Sequence, residues 1–228
     1  MPSAAFPEAV LFDLDGTLVD SAPDLLAALD FVRAGFGLPP SDHARLREQV
    51  SRGAAGILAA GLPGWNDSTE AERDRARDRL LDFYAEHCWV RSVPFEGVEA
   101  LLDRLKKLGV PLGIVTNKIS RFAEPVLERA GWAGHFGCLI TGDRVARPKP
   151  DPEGVLSACR TLGVQPQRTM FVGDDRRDVL AGTSAGVRTV VAGWGYVPVD
   201  ERPEDWHADA VIARPQELLE WLQPVEKG

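Results

Sequence analysis

The chain has 228 residues and a formal charge of −8, from 26 Lys and Arg against 34 Asp and Glu. A chain this acidic, with no basic run, offers no electrostatic footprint for nucleic acid or for an anionic membrane surface, and its 44% hydrophobic content excludes intrinsic disorder. No apolar run approaches the ~20 residues of a bilayer span, no secretory leader is visible, and Cys88, Cys138 and Cys159 are too scattered and too few for a disulfide framework; a globular cytoplasmic protein is expected.

The first element is a short apolar run over residues 9–14 that ends on Asp13-Leu14-Asp15-Gly16-Thr17. It is too short for a helix and apolar enough for a buried strand. A long stretch without strand signal follows, up to Pro111, and reads as helices over residues 23–35, 42–60 and 69–88. Asp42 and Thr69 are their expected caps, and Gly61-Leu62-Pro63-Gly64 breaks the middle. Beyond it, helical periodicity over 97–108, 122–130, 152–162, 175–185 and 215–222 alternates with apolar runs over 111–116, 138–141, 169–172, 189–192 and 210–212. This alternation predicts an α/β fold, a doubly wound parallel sheet with a Rossmann-like core. Residues 1–19 and 92–228 form that core, and residues 20–91 form a small all-helical cap inserted after the first strand. Such an insertion sits above the carboxyl ends of the strands, where ligands bind in this architecture.

The strand ends carry the chemistry. They present Asp13 and Asp15, then Thr116-Asn117-Lys118, then Lys149 between two prolines, then Gly173-Asp174-Asp175 with Asp178 one turn on. In a parallel sheet all of these gather on one edge. Clustered carboxylates repel unless a cation neutralises them, and an all-oxygen, incomplete shell suits Mg²⁺. A carboxylate beside a metal can attack phosphorus, a neighbouring carboxyl can move the proton, and Thr116 and Lys149 can hold phosphoryl oxygens. The set suits phosphoryl transfer through an aspartyl-phosphate, with a small phosphorylated metabolite as partner.

These four ordered motifs resemble those of the haloacid dehalogenase superfamily. Residues 12–21 and the pair Asn117-Lys118 are similar to phosphoglycolate phosphatases. Arg121-Phe122-Ala123-Glu124-Pro125, with Gly195-Tyr196 and Trp206 to Asp209, is more similar still to the N-acetylmuramic acid 6-phosphate phosphatases of peptidoglycan recycling. The resemblance implies Asp13 as nucleophile and metal ligand, Asp15 as general acid and base with its backbone carbonyl on the metal, and Asp174 as a metal ligand. It implies Thr116, Asn117 and Lys149 at the phosphoryl group and Asp178 behind the metal. Asp175 stands where relatives often carry Ser, and it also fits a helix cap. Arg52, in the small cap loop Ser51-Arg52-Gly53-Ala54, and Arg121, directly after the second motif, are candidates for a substrate carboxylate. The implied activity is Mg²⁺-dependent phosphomonoester hydrolysis of 2-phosphoglycolate or N-acetylmuramic acid 6-phosphate. A phosphosugar mutase shares every motif. A signalling receiver shares the chemistry but is about half this length, and a dehalogenase lacks the second acid.

Overall fold

The structure is a computed structural model and describes residues 7–222. Strand β1 (Ala9–Phe12) consists of four buried apolar residues. It stops one residue before the acids because the chain then coils on itself. Leu18 and Val19 both donate their N–H to the Leu14 carbonyl, and Gly16 donates to Val19 at 2.9 Å. Gly16 has φ +87°, a left-handed conformation that glycine adopts at little cost. A two-residue strand β2 (Val19–Asp20) leads into helix α1 (Ala22–Ala34).

The expected single helix over residues 42–60 is broken. It consists of α2 (His43–Leu46), a tight 3-10 stretch Arg47–Arg52, and α3 (Gly53–Gly61). The reason is Gly53, whose φ of +66° cannot continue a right-handed helix. After a 3-10 turn at Trp65–Asp67 comes α4 (Glu70–His87), where Thr69 and Glu72 form a reciprocal capping box. The return strand β3 (Val93–Pro94) pairs antiparallel with β2, Val19 opposite Pro94 and Asp20 opposite Val93. Two residues per strand are too few to show periodicity, so this stem was not visible in the sequence.

Then α5 (Val98–Lys107), β4 (Leu112–Val115), α6 (Ser120–Arg129), β5 (Cys138–Ile140), α7 (Glu153–Leu162), β6 (Thr169–Gly173), α8 (Arg176–Ala185), β7 (Arg188–Ala192) and β8 (Ala210–Ile212) follow in order. Residues Pro215–Leu222, expected as an α-helix, form a 3-10 helix. The six strands lie in the order β5-β4-β1-β6-β7-β8, and all their pairings are parallel. Alternation along the strands divides the core. Val10, Phe12, Ile114, Met170 and Val172 pack on α5 and α6, in one apolar cluster with α1, α3 and α4. Leu11, Val115 and Phe171 pack on the other face, against α7 and α8. Because β1 lies between β4 and β6, the residues that follow these three strands meet at one edge.

The inserted helices are tied down where they leave the sheet. Asp24 of α1 is buried and accepts the N–H groups of Val90, Arg91 and Ser92 at 2.9–3.1 Å, together with the Ser92 hydroxyl at 2.7 Å. Asp24→Ala would leave several donors unmet. We expect a loss of about 2–3 kcal/mol, read as a lower urea midpoint with an unchanged slope. No described helix is long and apolar enough to cross a membrane.

Candidate active site

Asp13 follows β1, Asp174 follows β6, and Asp178 lies in the first turn of α8. One carboxylate oxygen from each lies within 4.8 Å of the others. Their backbones come this close because glycines line the approach. A Cβ on Gly16 would sit 2.1 Å from Asp174 Oδ2, and one on Gly195 would sit 2.2 Å from the Asp174 Cβ. The Thr17 hydroxyl donates to Asp174 Oδ1 at 2.8 Å, and the Tyr196 N–H donates to Oδ2 at 2.9 Å.

Lys149 is the counter-charge. Its buried ammonium lies 2.9 Å from Asp13 Oδ1 and 2.7 Å from Asp178 Oδ1, and it donates to the Val115 carbonyl at 2.9 Å. Burial disfavours its charge, but Asp13 and Asp178 outweigh that and hold its pKa above the ordinary lysine value. Asn117 positions this lysine. Its side chain donates to the Lys149 carbonyl and accepts the Lys149 N–H, both at 2.9 Å.

One ammonium does not balance three acids. Burial, and then repulsion from Asp13 and Asp178, push Asp174 well above the usual carboxylate range. Burial pushes Asp178 up to about 7, with Asp13 and Asp175 adding to the effect and Lys149 opposing it. Asp13 Oδ1 and Asp178 Oδ1 are buried without a well-directed hydrogen bond. Unsatisfied, crowded carboxylate oxygens of this kind fit a hard divalent cation.

Asp15 is turned to a different partner. Lys118 donates to Asp15 Oδ1 and Oδ2 at 3.0 and 2.9 Å and to the Tyr84 hydroxyl of α4 at 2.8 Å. Thr116 is buried, and its hydroxyl accepts the Lys118 N–H at 3.2 Å. Lys118 had been noticed only as a neighbour of Asn117, and Tyr84 not at all. An aromatic residue on a helical apolar stripe gives no sign that its hydroxyl reaches a catalytic cluster.

Asp175 caps α8 and pairs with Arg177, its Oδ1 accepting from Nε at 2.8 Å and its Oδ2 meeting Nη2 at 2.7 Å. Burial alone would raise the Asp175 pKa, but Arg177 outweighs it and lowers it. A cavity of about 330 Å³ opens above Asp13, Thr116 and Lys149. Its upper wall is apolar, formed by Leu25, Val50, Leu81, Tyr84, Ile119 and Phe122, with Arg52 and Arg177 as cations. Arg121 is not part of this lining. It is half-exposed and pairs with Asp82 at 2.9 Å.

The family model for "haloacid dehalogenase-like hydrolase" matches residues 7–186. An N-acetylmuramic acid 6-phosphate phosphatase of Pseudomonas aeruginosa is 45% identical over 215 residues, 94% of each chain. A phosphoglycolate phosphatase of Xanthomonas campestris is 40% identical over 222 residues, 96% of this chain and 99% of the other. The crystal structure of a predicted phosphoglycolate phosphatase from Haemophilus somnus superposes with a TM-score of 0.86 at 25% identity, over 98% of this chain and 100% of that one. With its motifs on adjacent strand ends and matches of this extent, the chain belongs to the haloacid dehalogenase-like hydrolases.

Proposed function

We propose that the protein is a Mg²⁺-dependent phosphomonoesterase that acts through a phosphoryl group carried on Asp13. The observation behind this reading is the convergence of Asp13, Asp174 and Asp178 within 4.8 Å, with the Lys149 ammonium against two of them. The carboxylates of Asp13 and Asp174 and the Asp15 backbone carbonyl would hold the ion, with Asp178 facing the same centre. Bound there, Mg²⁺ supplies positive charge against the phosphoryl oxygens.

In the first step an Asp13 oxygen attacks phosphorus. The bond to the ester oxygen breaks, and Asp15 gives that oxygen its proton. In the second step Asp15 takes a proton from water, and the water oxygen attacks phosphorus. The bond to Asp13 breaks, inorganic phosphate leaves, and both acids return to their starting forms. Lys149 and Thr116 hold the phosphoryl oxygens throughout, and Asn117 keeps Lys149 in place.

Two relatives suggest two substrates, and the cavity favours the larger. Its volume of about 330 Å³ reaches the lower end of the ~300–1,000 Å³ of sites for drug-sized ligands. Its apolar wall would be left unfilled by a two-carbon acid and suits the acylated sugar of N-acetylmuramic acid 6-phosphate. Arg52 is the cation placed for the carboxylate. Phosphate release should be measured with this ester, 2-phosphoglycolate and glucose 6-phosphate, with Mg²⁺ and with EDTA. We expect the amino sugar to give the highest kcat/KM and EDTA to stop all turnover. Preference for 2-phosphoglycolate would replace the substrate, and activity in EDTA would remove the metal.

A further inference from the structure

Arg177 joins two parts of the molecule that are distant in sequence. It stands at the start of α8, beside the carboxylate cluster, and its Nη2 donates to the Ser51 carbonyl across 126 residues. Ser51 is near the end of the 3-10 stretch of the helical insertion, just before Arg52 and Gly53. Earlier residues of that stretch have their own partners on the core side. Arg47 pairs with Asp20 at 2.8 Å, and Glu48 accepts the Val199 N–H at 3.0 Å. The last part bends at Gly53, where φ is +66° and nothing would lie within 4 Å of an added Cβ. A bend at an unpacked glycine is not held by its own sterics. The same part, residues 51–54, lines the upper cavity.

We propose that Arg177 is a positioning residue. It pins the 51–54 bend over the cavity, with Asp175 as its anchor, and thereby sets which esters fit. Asp175 engages two nitrogens of the guanidinium fork and so aims Nη2 at Ser51. A planar fork held on one side presents its remaining N–H with little further ordering. This gives Asp175 a task separate from the metal centre: its carboxylate faces Arg177, and it is absent from the group of converging carboxylates. The inference rests on the phosphatase reading and deepens it, since the pinned bend contacts the organic part of the ester and not the phosphoryl group.

The test uses Arg177→Met, Arg177→Lys, Asp175→Asn and the Arg177→Met/Asp175→Asn double variant. Asn retains the capping ability of Asp. Each is assayed with N-acetylmuramic acid 6-phosphate and with p-nitrophenyl phosphate, whose small ring leaves the sugar region of the cavity largely empty. We expect kcat/KM on the amino sugar to fall by about tenfold to a hundredfold more than on the small ester, mainly through KM. Arg177→Lys should not rescue, because a lysine cannot engage Asp175 and Ser51 as a fork. The double variant should be no worse than the single ones, as residues of one unit are not additive. Amide exchange over residues 51–54 should rise in Arg177→Met without ligand, and the Mg²⁺ titration should not move. Equal losses on both esters, a shifted Mg²⁺ titration, or unchanged exchange at 51–54 would overturn the assignment. Wild-type protein inactive on both esters would overturn the phosphatase reading and this inference with it. Wild-type protein active only on the small ester would retire the amino-sugar reading and the inference together.

Discussion

Mixed with p-nitrophenyl phosphate and quenched rapidly, the Asp15→Asn protein should carry one added phosphoryl group, while the Asp13→Asn protein should carry none. The two acids are two residues apart, yet their surroundings differ. Asp13 Oδ1 faces Lys149 in the carboxylate cluster, whereas Asp15 is held by Lys118 and, through it, Tyr84. Asn at 13 removes the attacking oxygen's charge, so neither covalent phosphate nor turnover should remain. Asn at 15 keeps the shape but cannot give or take the proton, which should slow each step by up to ~10²–10⁴-fold. p-Nitrophenolate leaves without needing that proton, so the first step proceeds and the second stalls. Intact mass spectrometry reads the adduct. An adduct on Asp13→Asn, or full steady-state activity in Asp15→Asn, would reverse these roles.

Asp174→Asn should destroy metal response while making the metal-free protein more stable. Without a cation, burial and the nearby Asp13 and Asp178 raise the folded-state pKa of Asp174 above its unfolded value. A carboxylate shifted in this direction binds protons more tightly when folded. Stability is therefore lost as pH rises above the unfolded value of about 3.9. Asp178, pushed up to about 7, extends the loss toward neutrality. In EDTA, the wild-type melting temperature should fall between about pH 5 and 8, and Asp174→Asn should fall less and melt higher at pH 7.5. Loss of even an outer partner of a metal ligand costs ~10–100-fold in affinity. Losing this carboxylate's charge should raise the half-saturating Mg²⁺ by about 100-fold or more and abolish the Mg²⁺-induced rise in melting temperature. A metal-free Asp174→Asn protein that melts lower than wild type would show that the cluster is not strained by its own charge.

The sheet was legible because its strands announce themselves as short apolar runs, and because Asp13, Thr116 and Asp174 stand directly at or after their ends. Lys149 was legible only through resemblance, since a lysine between two prolines reads equally well as a loop charge. Lys118 with Asp15, and Arg177 with Ser51, are separated by 103 and 126 residues. No local spacing encodes such pairings; they appear when the helical insertion folds back over the sheet. The same reason explains Arg121, whose place beside the second motif suggested a substrate contact and whose guanidinium pairs instead with Asp82 of α4. The break in the helix over residues 42–60 had a local signal in Gly53, but a lone glycine inside a helical pattern is tolerated often enough to be overlooked.

The two-residue stem formed by Val19 and Asp20 with Val93 and Pro94 has an architectural consequence. The inserted helices leave and re-enter the core side by side, closed by two paired residues and the Asp24 bracket. Chain ends that lie together make a segment exchangeable, because the host fold sees the same short connection whatever is attached. The sheet edge with its acids and the walls that select the ester thus reside on pieces that can change independently. A descendant could acquire a new substrate by replacing the outer piece, with the six-stranded sheet and the order of its strands left as they are.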